Sequence, residues 1–261
     1  MYFLYLELLI PNKCRVSDNM AKEMVIVMIV SMGLLFLSSA IEPYERPFSI
    51  SDRSISKPYL RHETITFAEI TAVSVVIPLV LMFVILRINT IERVYEVYFY
   101  LSFLLACLIT SSIVENMKNI IGRLRPDFLS RCSPAGGKCT GNPRVILEGR
   151  RSFPSGHTSI AACGFIFLML FASKEFGLPR LRAKMNQVFV FLLYLAFLMV
   201  PIAVGASRVM DSKHFISDVV GGGVIGVLVG VARFKRLEMD IVKERYKNVI
   251  VNDINGAENQ A

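Results

Sequence analysis

Three short blocks of the sequence combine residue types that suit phosphate chemistry. They are Lys118-x6-Arg125-Pro126, Pro154-Ser155-Gly156-His157 and Ser207-Arg208-x5-His214-x3-Asp218. Two of the chain's three histidines lie in these blocks. Together the blocks supply three fixed cations, a glycine at which backbone can approach a ligand, and two histidines, the second followed by a carboxylate. This combination predicts hydrolysis of a phosphate ester without a metal ion.

In the first block, Lys118 and Arg125 are seven residues apart, which is two helical turns. We therefore expect both side chains on one face at the end of a helix. Pro126 disfavours the helical conformation at Arg125, so the helix is expected to end there. The alternative is a basic cluster beside the membrane that touches lipid phosphates, because Arg123 and Arg131 are nearby.

The second block is expected to open a helix. Proline suits a first helical turn, and Gly156 lets the backbone approach a ligand. The free N–H groups and the positive end of the helix dipole favour an anion. His157 would then be placed to protonate an alkoxide leaving group. The alternative is a histidine that only caps the helix or lies on the surface.

The third block places His214 and Asp218 four residues apart. On one helical face, Asp218 would hold one ring nitrogen and leave the other lone pair aimed at phosphorus. Asp218 also heads an apolar run, where a carboxylate without a partner is costly. The alternative is a His–Asp bond with only a structural role.

These blocks are set among apolar runs that predict an all-α, polytopic membrane protein with six transmembrane helices. Hydrophobic residues make up 54% of the chain, and about 20 apolar residues cross a bilayer as a helix. The six runs are 24–41, 66–86, 94–114, 158–173, 187–206 and 216–232. We expect a six-helix membrane domain at 24–233 between tails at 1–23 and 234–261. The apolar stretch Tyr2–Ile10 is too short to span and is interpreted as part of the N-terminal tail.

The charge pattern argues against nucleic acid and predicts an orientation in the membrane. The net charge is +8, but the cations are scattered through interhelical loops, which fits anionic lipid head groups. The side that holds both termini carries 15 of the 29 Lys and Arg residues. Because three of the remaining cations are explained by phosphate binding, we expect cytosolic termini and a site that faces the lumen or the cell exterior.

Two further patterns concern cysteines and glycines. Cys132 and Cys139 lie in the loop that carries the second block, where they would form a disulfide in an oxidising compartment or remain two free thiols. Neither a Cys/His cluster nor a set of converging carboxylates indicates a metal ion, and no cofactor is predicted. Gly222, Gly226 and Gly230 are spaced for close helix contact. We interpret this as packing within one monomer, with a homo-oligomer as the alternative.

Taken together, the blocks resemble, position for position, the signature of the type-2 phosphatidic acid phosphatase superfamily. Ile121–Pro126 with Phe128-Leu129, and the segment from Ser54-Ile55 to Thr64-Ile65-Thr66, are similar to its animal lipid phosphate phosphatases. The resemblance covers roughly residues 24–233. It implies that His214 is the nucleophile that forms a phosphohistidine, that Asp218 orients it and that His157 is the general acid. It also implies phosphate binding by Lys118, Arg125 and Arg208, with Ser155 and Gly156 assisting.

The resemblance implies hydrolysis of phosphatidate, lysophosphatidate, sphingosine 1-phosphate or ceramide 1-phosphate. A phosphatase for a polyprenyl or sugar phosphate is the alternative within the superfamily. A non-catalytic membrane protein that binds lipid phosphates is a second alternative, but such relatives lose a histidine or an arginine of the signature and this chain retains them. A six-span transporter is disfavoured because the spans contain no inverted repeat.

Overall fold

The computed structural model describes residues 18–60, 62–89, 93–174 and 187–258. Within them, six helical segments are long and apolar enough to cross a membrane, at Met20–Ala40, Phe67–Arg87, Glu96–Ile121, Gly156–Ser173, Gln187–Met210 and Ile216–Glu244. The prediction of an all-α membrane protein with six transmembrane helices is confirmed. The predicted Tyr2–Ile10 tail segment and most of the loop at 174–186 lie outside the described residues.

The described elements are named in their order along the chain. The helices are α1 (Asp18–Ala40), α2 (Phe67–Thr71), α3 (Ile77–Asn89), α4 (Arg93–Ile121), α5 (Phe128–Cys132), α6 (Pro143–Gly149), α7 (Gly156–Ser173), α8 (Gln187–Met210) and α9 (Ile216–Glu258). A π-helical turn at Ala72–Val76 joins α2 to α3, and a 3₁₀ turn occupies Arg53–Ile55. Strands β1 (Pro134–Ala135) and β2 (Lys138–Cys139) form a short antiparallel hairpin.

Two helices run well beyond the apolar runs that predicted them. The third span was expected at 94–114, whereas α4 continues to Ile121, and the sixth was expected at 216–232, whereas α9 continues to Glu258. The hydrocarbon core dictates which residues are apolar, but helical backbone hydrogen bonds continue through polar residues outside it. Polar residues such as Glu115 and Lys118 therefore lie on the last turns of α4. For the same reason α9 passes without a break through the boundary expected at 233.

Helix α7 lies in the centre of the bundle and packs against α4, α8 and α9. Its aromatic residues meet those of its neighbours edge to face, with ring centroids 5.5 Å apart for Phe103 and Phe167 and 5.4 Å apart for Phe167 and Phe234. Both geometries are favourable for aromatic pairs. Since α7 is held from several sides, its first turn, which carries His157, has a fixed position.

The predicted glycine contact joins α9 to α7. A Cβ atom at Gly222 would lie 2.4 Å from the carbonyl oxygen of Ser155, and one at Gly226 would lie 2.2 Å from the carbonyl oxygen of Ser159. Only glycine allows the two helix backbones to approach this closely. The interpretation of these glycines as packing within the monomer is confirmed, and the contact draws the start of α9 towards the start of α7.

The loops at the end of the bundle where α7 and α9 begin are folded tightly against one another. Cys132 and Cys139 form a disulfide, which is one of the two alternatives that the sequence left open. Next to the disulfide, Arg131 makes a bidentate ion pair with Asp127, with N–O distances of 2.7 and 2.8 Å. The guanidinium of Arg131 also lies over the ring of Tyr59, which belongs to the loop between α1 and α2. These contacts create a rigid frame around the three blocks.

Candidate active site

The first block lies where α4 ends and the chain leaves the bundle. Gly122 has φ +56° and its N–H donates to the carbonyl of Lys118 at 3.0 Å, which ends the helix at Ile121. The prediction that the helix reaches Arg125 is therefore wrong. The prediction that Arg125 shares a helical face with Lys118 is wrong for the same reason. A glycine in the left-handed conformation stops the helix before Pro126 can act. Arg125 is held instead by its N–H, which donates to the carbonyl of Gly149 at 2.8 Å.

Both cations of this block are nevertheless buried within the site. Lys118 Nζ donates to Oε1 of Glu115 at 2.6 Å, and Arg125 pairs with the carboxylate of Glu148. A Cβ atom at Gly156 would lie 3.2 Å from Lys118 Nζ, so the ammonium rests against the first residue of α7. The first block thus meets the second through space, although its two cations reach it from different local structures.

The second block forms the start of α7, as predicted. Ser155 has extended backbone angles and occupies the N-cap position, and the helix begins at Gly156. The Ser155 N–H donates to the carbonyl of Asp218 at 3.0 Å, which ties this turn to the third block. The N–H groups of the first turn have no acceptor inside the helix. Together with the ammonium of Lys118 they form an environment that favours an anion.

His157 lies on the first turn of α7 and presents one ring nitrogen to its surroundings. Its ring meets Phe67, at the start of α2, edge to face with centroids 5.3 Å apart. Its Nε2 atom is buried and has no hydrogen-bond partner among the described residues. Oε2 of Glu63 lies 3.9 Å from this nitrogen. Nε2 is therefore available to exchange a proton with a ligand.

His214 lies in the loop between α8 and α9, before the helix that carries Asp218. The expectation that both residues share a helical face is therefore wrong, because α9 begins at Ile216. Nδ1 of His214 lies 2.7 Å from the backbone carbonyl oxygen of Ser152, and Oδ2 of Asp218 lies 3.8 Å from the same nitrogen. The carbonyl, and not the predicted carboxylate, thus makes the close hydrogen bond.

This geometry fixes the protonation of the His214 ring. A carbonyl oxygen only accepts, so Nδ1 carries the hydrogen and Nε2 keeps its lone pair. Burial lowers the pKa of His214 to about 4, and the cations of Arg125 and Lys118 act in the same direction while Asp218 opposes them. The ring is therefore neutral at neutral pH, with a nucleophilic nitrogen beside a group of cations.

Asp218 is fully buried and accepts three hydrogen bonds. The donors are the hydroxyl of Ser152 at 2.6 Å, Nη1 of Arg123 at 2.6 Å and the N–H of Phe215 at 2.9 Å. The guanidinium of Arg123 also lies over the Phe215 ring. These bonds compensate for the burial of the carboxylate and hold it beside His214.

Arg208 completes the cation set from the end of α8. Its side chain is 0% exposed and donates to Oε2 of Glu63 at 2.8 Å and to Oδ2 of Asp211 at 2.9 Å. Lys213 lies beside this group, with Nζ 3.6 Å from Oε1 of Glu63. Burial and the nearby cation of Arg131 lower the pKa of Lys213, while Glu63 opposes them. Glu63 therefore links the third block to the second, because its carboxylate lies beside both Arg208 and His157. The third block is linked to the first by electrostatics, since the cations of Arg125 and Lys118 act on the His214 ring.

The structure brings all eight predicted site residues together and adds several that the sequence did not reveal. Ser152 contributes a backbone carbonyl and a hydroxyl, neither of which leaves a pattern in the sequence. Glu63 comes from a loop more than 90 residues before His157, so spacing could not connect the two. Arg123 and Lys213 lie next to predicted residues, and their proximity to the blocks was the available signal.

The acidic residues of the site each accompany a cation. Among the described residues, no group of three or more His, Cys, Asp or Glu side chains is arranged to hold a metal ion. The carboxylates of Glu115, Glu148 and Asp218 pair with Lys118, Arg125 and Arg123, respectively. The side chains of Lys118, Arg125 and Arg208 give the site positive charge that can neutralise a phosphoryl group.

The chain is similar to known proteins over the range that contains this site. The PAP2 superfamily profile matches residues 99–240, a range that includes all three blocks. Lipid phosphate phosphatase 2 of Arabidopsis thaliana is 34% identical over 216 residues, which cover 78% of this chain and 72% of the relative. Phospholipid phosphatase 2 of Mus musculus is 32% identical over 226 residues, with 78% and 80% covered.

A third relative carries a different description. The probable diacylglycerol pyrophosphate phosphatase 1 of Schizosaccharomyces pombe is 26% identical over 231 residues, which cover 84% of this chain and 81% of the relative. No solved structure matches the chain significantly. The similarity therefore extends over most of the chain and includes enzymes from plants, animals and a fungus.

Proposed function

Because the chain belongs to the PAP2 superfamily and is a membrane-bound lipid phosphatase of that superfamily, we propose that it hydrolyses lipid phosphate monoesters through a phosphohistidine on His214. One observation carries this mechanism. The Ser152 carbonyl holds the Nδ1 hydrogen of His214 at 2.7 Å and so leaves the Nε2 lone pair free. A neutral imidazole in this tautomer, beside several cations, is suited to attack an anionic phosphoryl group.

In the first step, Nε2 of His214 attacks phosphorus and the bond from phosphorus to the lipid oxygen breaks. His157 donates its Nε2 proton to the departing oxygen, which leaves as the lipid alcohol. In the second step, water attacks the phosphohistidine and gives a proton to His157. The nitrogen–phosphorus bond breaks, inorganic phosphate is released, and both histidines return to their starting states.

Asp218 stabilises the intermediate. Once Nε2 carries the phosphoryl group, the ring keeps its Nδ1 hydrogen and gains positive charge. The carboxylate of Asp218, 3.8 Å from Nδ1, offsets this charge. Its bonds to Ser152 and Arg123 keep it in place during the reaction. The role is similar to that of the aspartate in a serine hydrolase triad.

Lys118, Arg125 and Arg208 bind the phosphoryl oxygens, with Ser155 and the N–H groups at Gly156 assisting. Phosphoryl transfer needs its equatorial charge neutralised and its reacting atoms held in line. Each of these cations now pairs with a carboxylate, namely Glu115, Glu148 or Glu63. A substrate phosphate would exchange places with these acids and would receive cations that the frame already holds in position.

The substrates we propose are phosphatidate, lysophosphatidate, sphingosine 1-phosphate and ceramide 1-phosphate. All present a phosphate monoester at the membrane surface while their chains remain in the bilayer. The site lies at the ends of membrane-spanning helices, which is where such a phosphate is found. We assign the catalytic unit to residues 24–233, with 1–23 and 234–261 as tails.

We further propose that the site faces the lumen or the cell exterior and that both termini are cytosolic. Once the three proposed phosphate-binding cations are set aside, the side of the termini carries 15 of the remaining 26 Lys and Arg residues, which supports this orientation. The disulfide between Cys132 and Cys139 lies at the same end as the site, and disulfides persist in oxidising compartments. These two observations are independent of each other and agree.

Phosphate release from the four lipids, measured in detergent micelles with EDTA present, tests the mechanism. We expect activity without added Mg²⁺, because side-chain cations neutralise the phosphoryl group. Vanadate should inhibit, since its trigonal-bipyramidal adduct with His214 resembles the transition state. Loss of activity on chelation, with recovery on adding Mg²⁺, would refute the metal-independent mechanism.

A further inference from the structure

Glu63 places a carboxylate among the groups that the proposed mechanism uses to bind and protonate the substrate. Its Oε2 accepts a hydrogen bond from Nη1 of Arg208 at 2.8 Å and lies 3.9 Å from Nε2 of His157. Its Oε1 lies 3.6 Å from Nζ of Lys213. One carboxylate thus faces a guanidinium, an ammonium and the general acid. A phosphoryl oxygen bound at the position of this carboxylate would need the same three partners.

A phosphoryl group and the Glu63 carboxylate are mutually exclusive at this position. Both are anions, and Arg208 is fully buried, so solvent screens their repulsion poorly. A phosphate that engages Nη1 of Arg208 must therefore drive an acid away from it. The two acids bonded to Arg208 are Glu63 and Asp211.

Asp211 is fixed in place, whereas Glu63 can move. Asp211 is buried and also accepts hydrogen bonds from the N–H and hydroxyl of Thr64, at 2.8 and 2.6 Å. The Glu63 side chain is 28% exposed and has three rotatable bonds. The same Thr64 bonds, and the bond from Lys213 to the Leu60 carbonyl at 2.7 Å, hold the loop on both sides of Glu63. Rotation of one side chain can thus clear the position without movement of the loop.

We infer that Glu63 sets how tightly the site holds a phosphate group, because its carboxylate competes with phosphate for Arg208 and Lys213. The inference rests on the proposed function. A substrate phosphate displaces the carboxylate, and the carboxylate returns when inorganic phosphate leaves. This competition weakens the binding of every phosphate ligand by a similar factor. A lipid substrate keeps useful affinity through its chains, whereas inorganic phosphate has no other contact and is released readily.

The test measures inhibition by inorganic phosphate during lysophosphatidate hydrolysis in detergent micelles. Glu63→Gln keeps the size of the side chain and removes its charge, so the inhibition constant for phosphate should fall roughly ten-fold, as expected for loss of one charge-assisted hydrogen bond. The rise in melting temperature produced by added phosphate should be larger in the variant, which provides a readout that needs no turnover.

Glu45→Gln is the matched control, because Glu45 is an exposed glutamate of the same loop and the charge change is identical. Its inhibition constant for phosphate should equal that of the wild-type enzyme. Glu63→Asp retains the charge on a side chain one methylene shorter and should tighten phosphate binding to a smaller degree. It decides the matter if Glu63→Gln does not fold.

Unchanged or weaker phosphate binding in the folded Glu63 variant would overturn the inference. This result differs from failure of the proposed function. In that case the wild-type enzyme would neither release phosphate from lipids nor be stabilised by inorganic phosphate. A wild-type enzyme that hydrolyses lipid phosphates and is inhibited by phosphate, with no change in the Glu63 variant, refutes the role of Glu63 alone.

Discussion

The two histidines of the site differ in what surrounds each ring, and this difference separates their proposed roles. Nδ1 of His214 is bonded to the Ser152 carbonyl, with the Asp218 carboxylate 3.8 Å away. His157 instead presents a buried Nε2 with no hydrogen-bond partner among the residues the structure describes. A fixed tautomer suits a nucleophile, whereas an uncommitted nitrogen suits a proton donor.

Replacing each histidine should separate the two roles by their dependence on the leaving group. With a lipid phosphate, His157→Ala and His214→Ala should both lose most activity, since general-acid catalysis alone contributes about 10²–10⁴-fold. With a nitrophenyl phosphate, the leaving group needs little protonation. His157→Ala should then retain measurable activity, while His214→Ala stays inactive because no intermediate forms. Equal losses for both variants on both substrates would contradict this division of roles.

The pH dependence of kcat/KM should report the lowered pKa of His214. Burial brings this pKa to about 4, so the ring stays neutral and nucleophilic as pH falls through the range where an ordinary histidine is protonated. For nitrophenyl phosphate hydrolysis, corrected for ionisation of the substrate, we expect the acidic loss of kcat/KM, which reports the free enzyme, to have its midpoint near pH 4. A midpoint near the ordinary histidine pKa of about 6.5 would contradict a neutral nucleophile.

At the scale of the helices, the sequence predicted which elements exist better than where they end. Apolar runs locate six spans, because the bilayer imposes both length and composition. The end of α4 was predicted wrongly because Gly122 adopts a left-handed conformation. The φ angle of a glycine cannot be read from the sequence. The role of Asp218 as the direct partner of His214 was overestimated for a related reason. The Ser152 carbonyl that makes the bond belongs to the backbone, and any residue type could supply it.

The close contact between α7 and α9 gives a prediction about these elements. In Gly226→Ala, the new methyl group would lie 2.2 Å from the Ser159 carbonyl oxygen, so the helices must separate. Overpacking of this kind costs about 1–3 kcal/mol. The bond from the Ser155 N–H to the Asp218 carbonyl spans the same contact, so activity should also fall.

The measurements are thermal inactivation and lipid phosphate hydrolysis of the purified enzyme in detergent. Gly223→Ala is the matched control, since its methyl group would meet only Thr158 Cγ2 at 3.8 Å, an ordinary contact. We expect the control to behave as the wild-type enzyme. Similar behaviour of the two alanine variants would show that the close approach of α7 and α9 does not hold the site.

At the scale of the whole molecule, the position of the site follows from the topology of the chain. The blocks are far apart in sequence, but each lies at a helix end on the same side of the bundle. The proposed catalytic groups thus lie at one end of the bundle, while the apolar surfaces of α1, α3 and α8 face outward along the bundle. A lipid can keep its chains beside these surfaces while its phosphate lies at the site.

The orientation of the molecule can be measured by thiol labelling in intact vesicles. In a Cys14→Ser background, the described free cysteines, Cys107 and Cys163, are buried. Ser56→Cys introduces an exposed thiol at the site end, and Tyr246→Cys introduces one on α9 beyond the membrane-spanning segment. An impermeant maleimide should label Ser56→Cys only from the luminal or external side. It should label Tyr246→Cys only from the cytosolic side, or after detergent opens the vesicles. The reverse pattern would place the site in the cytosol. The distribution of Lys and Arg would then not indicate the orientation of the protein. The disulfide would also lie in a reducing compartment.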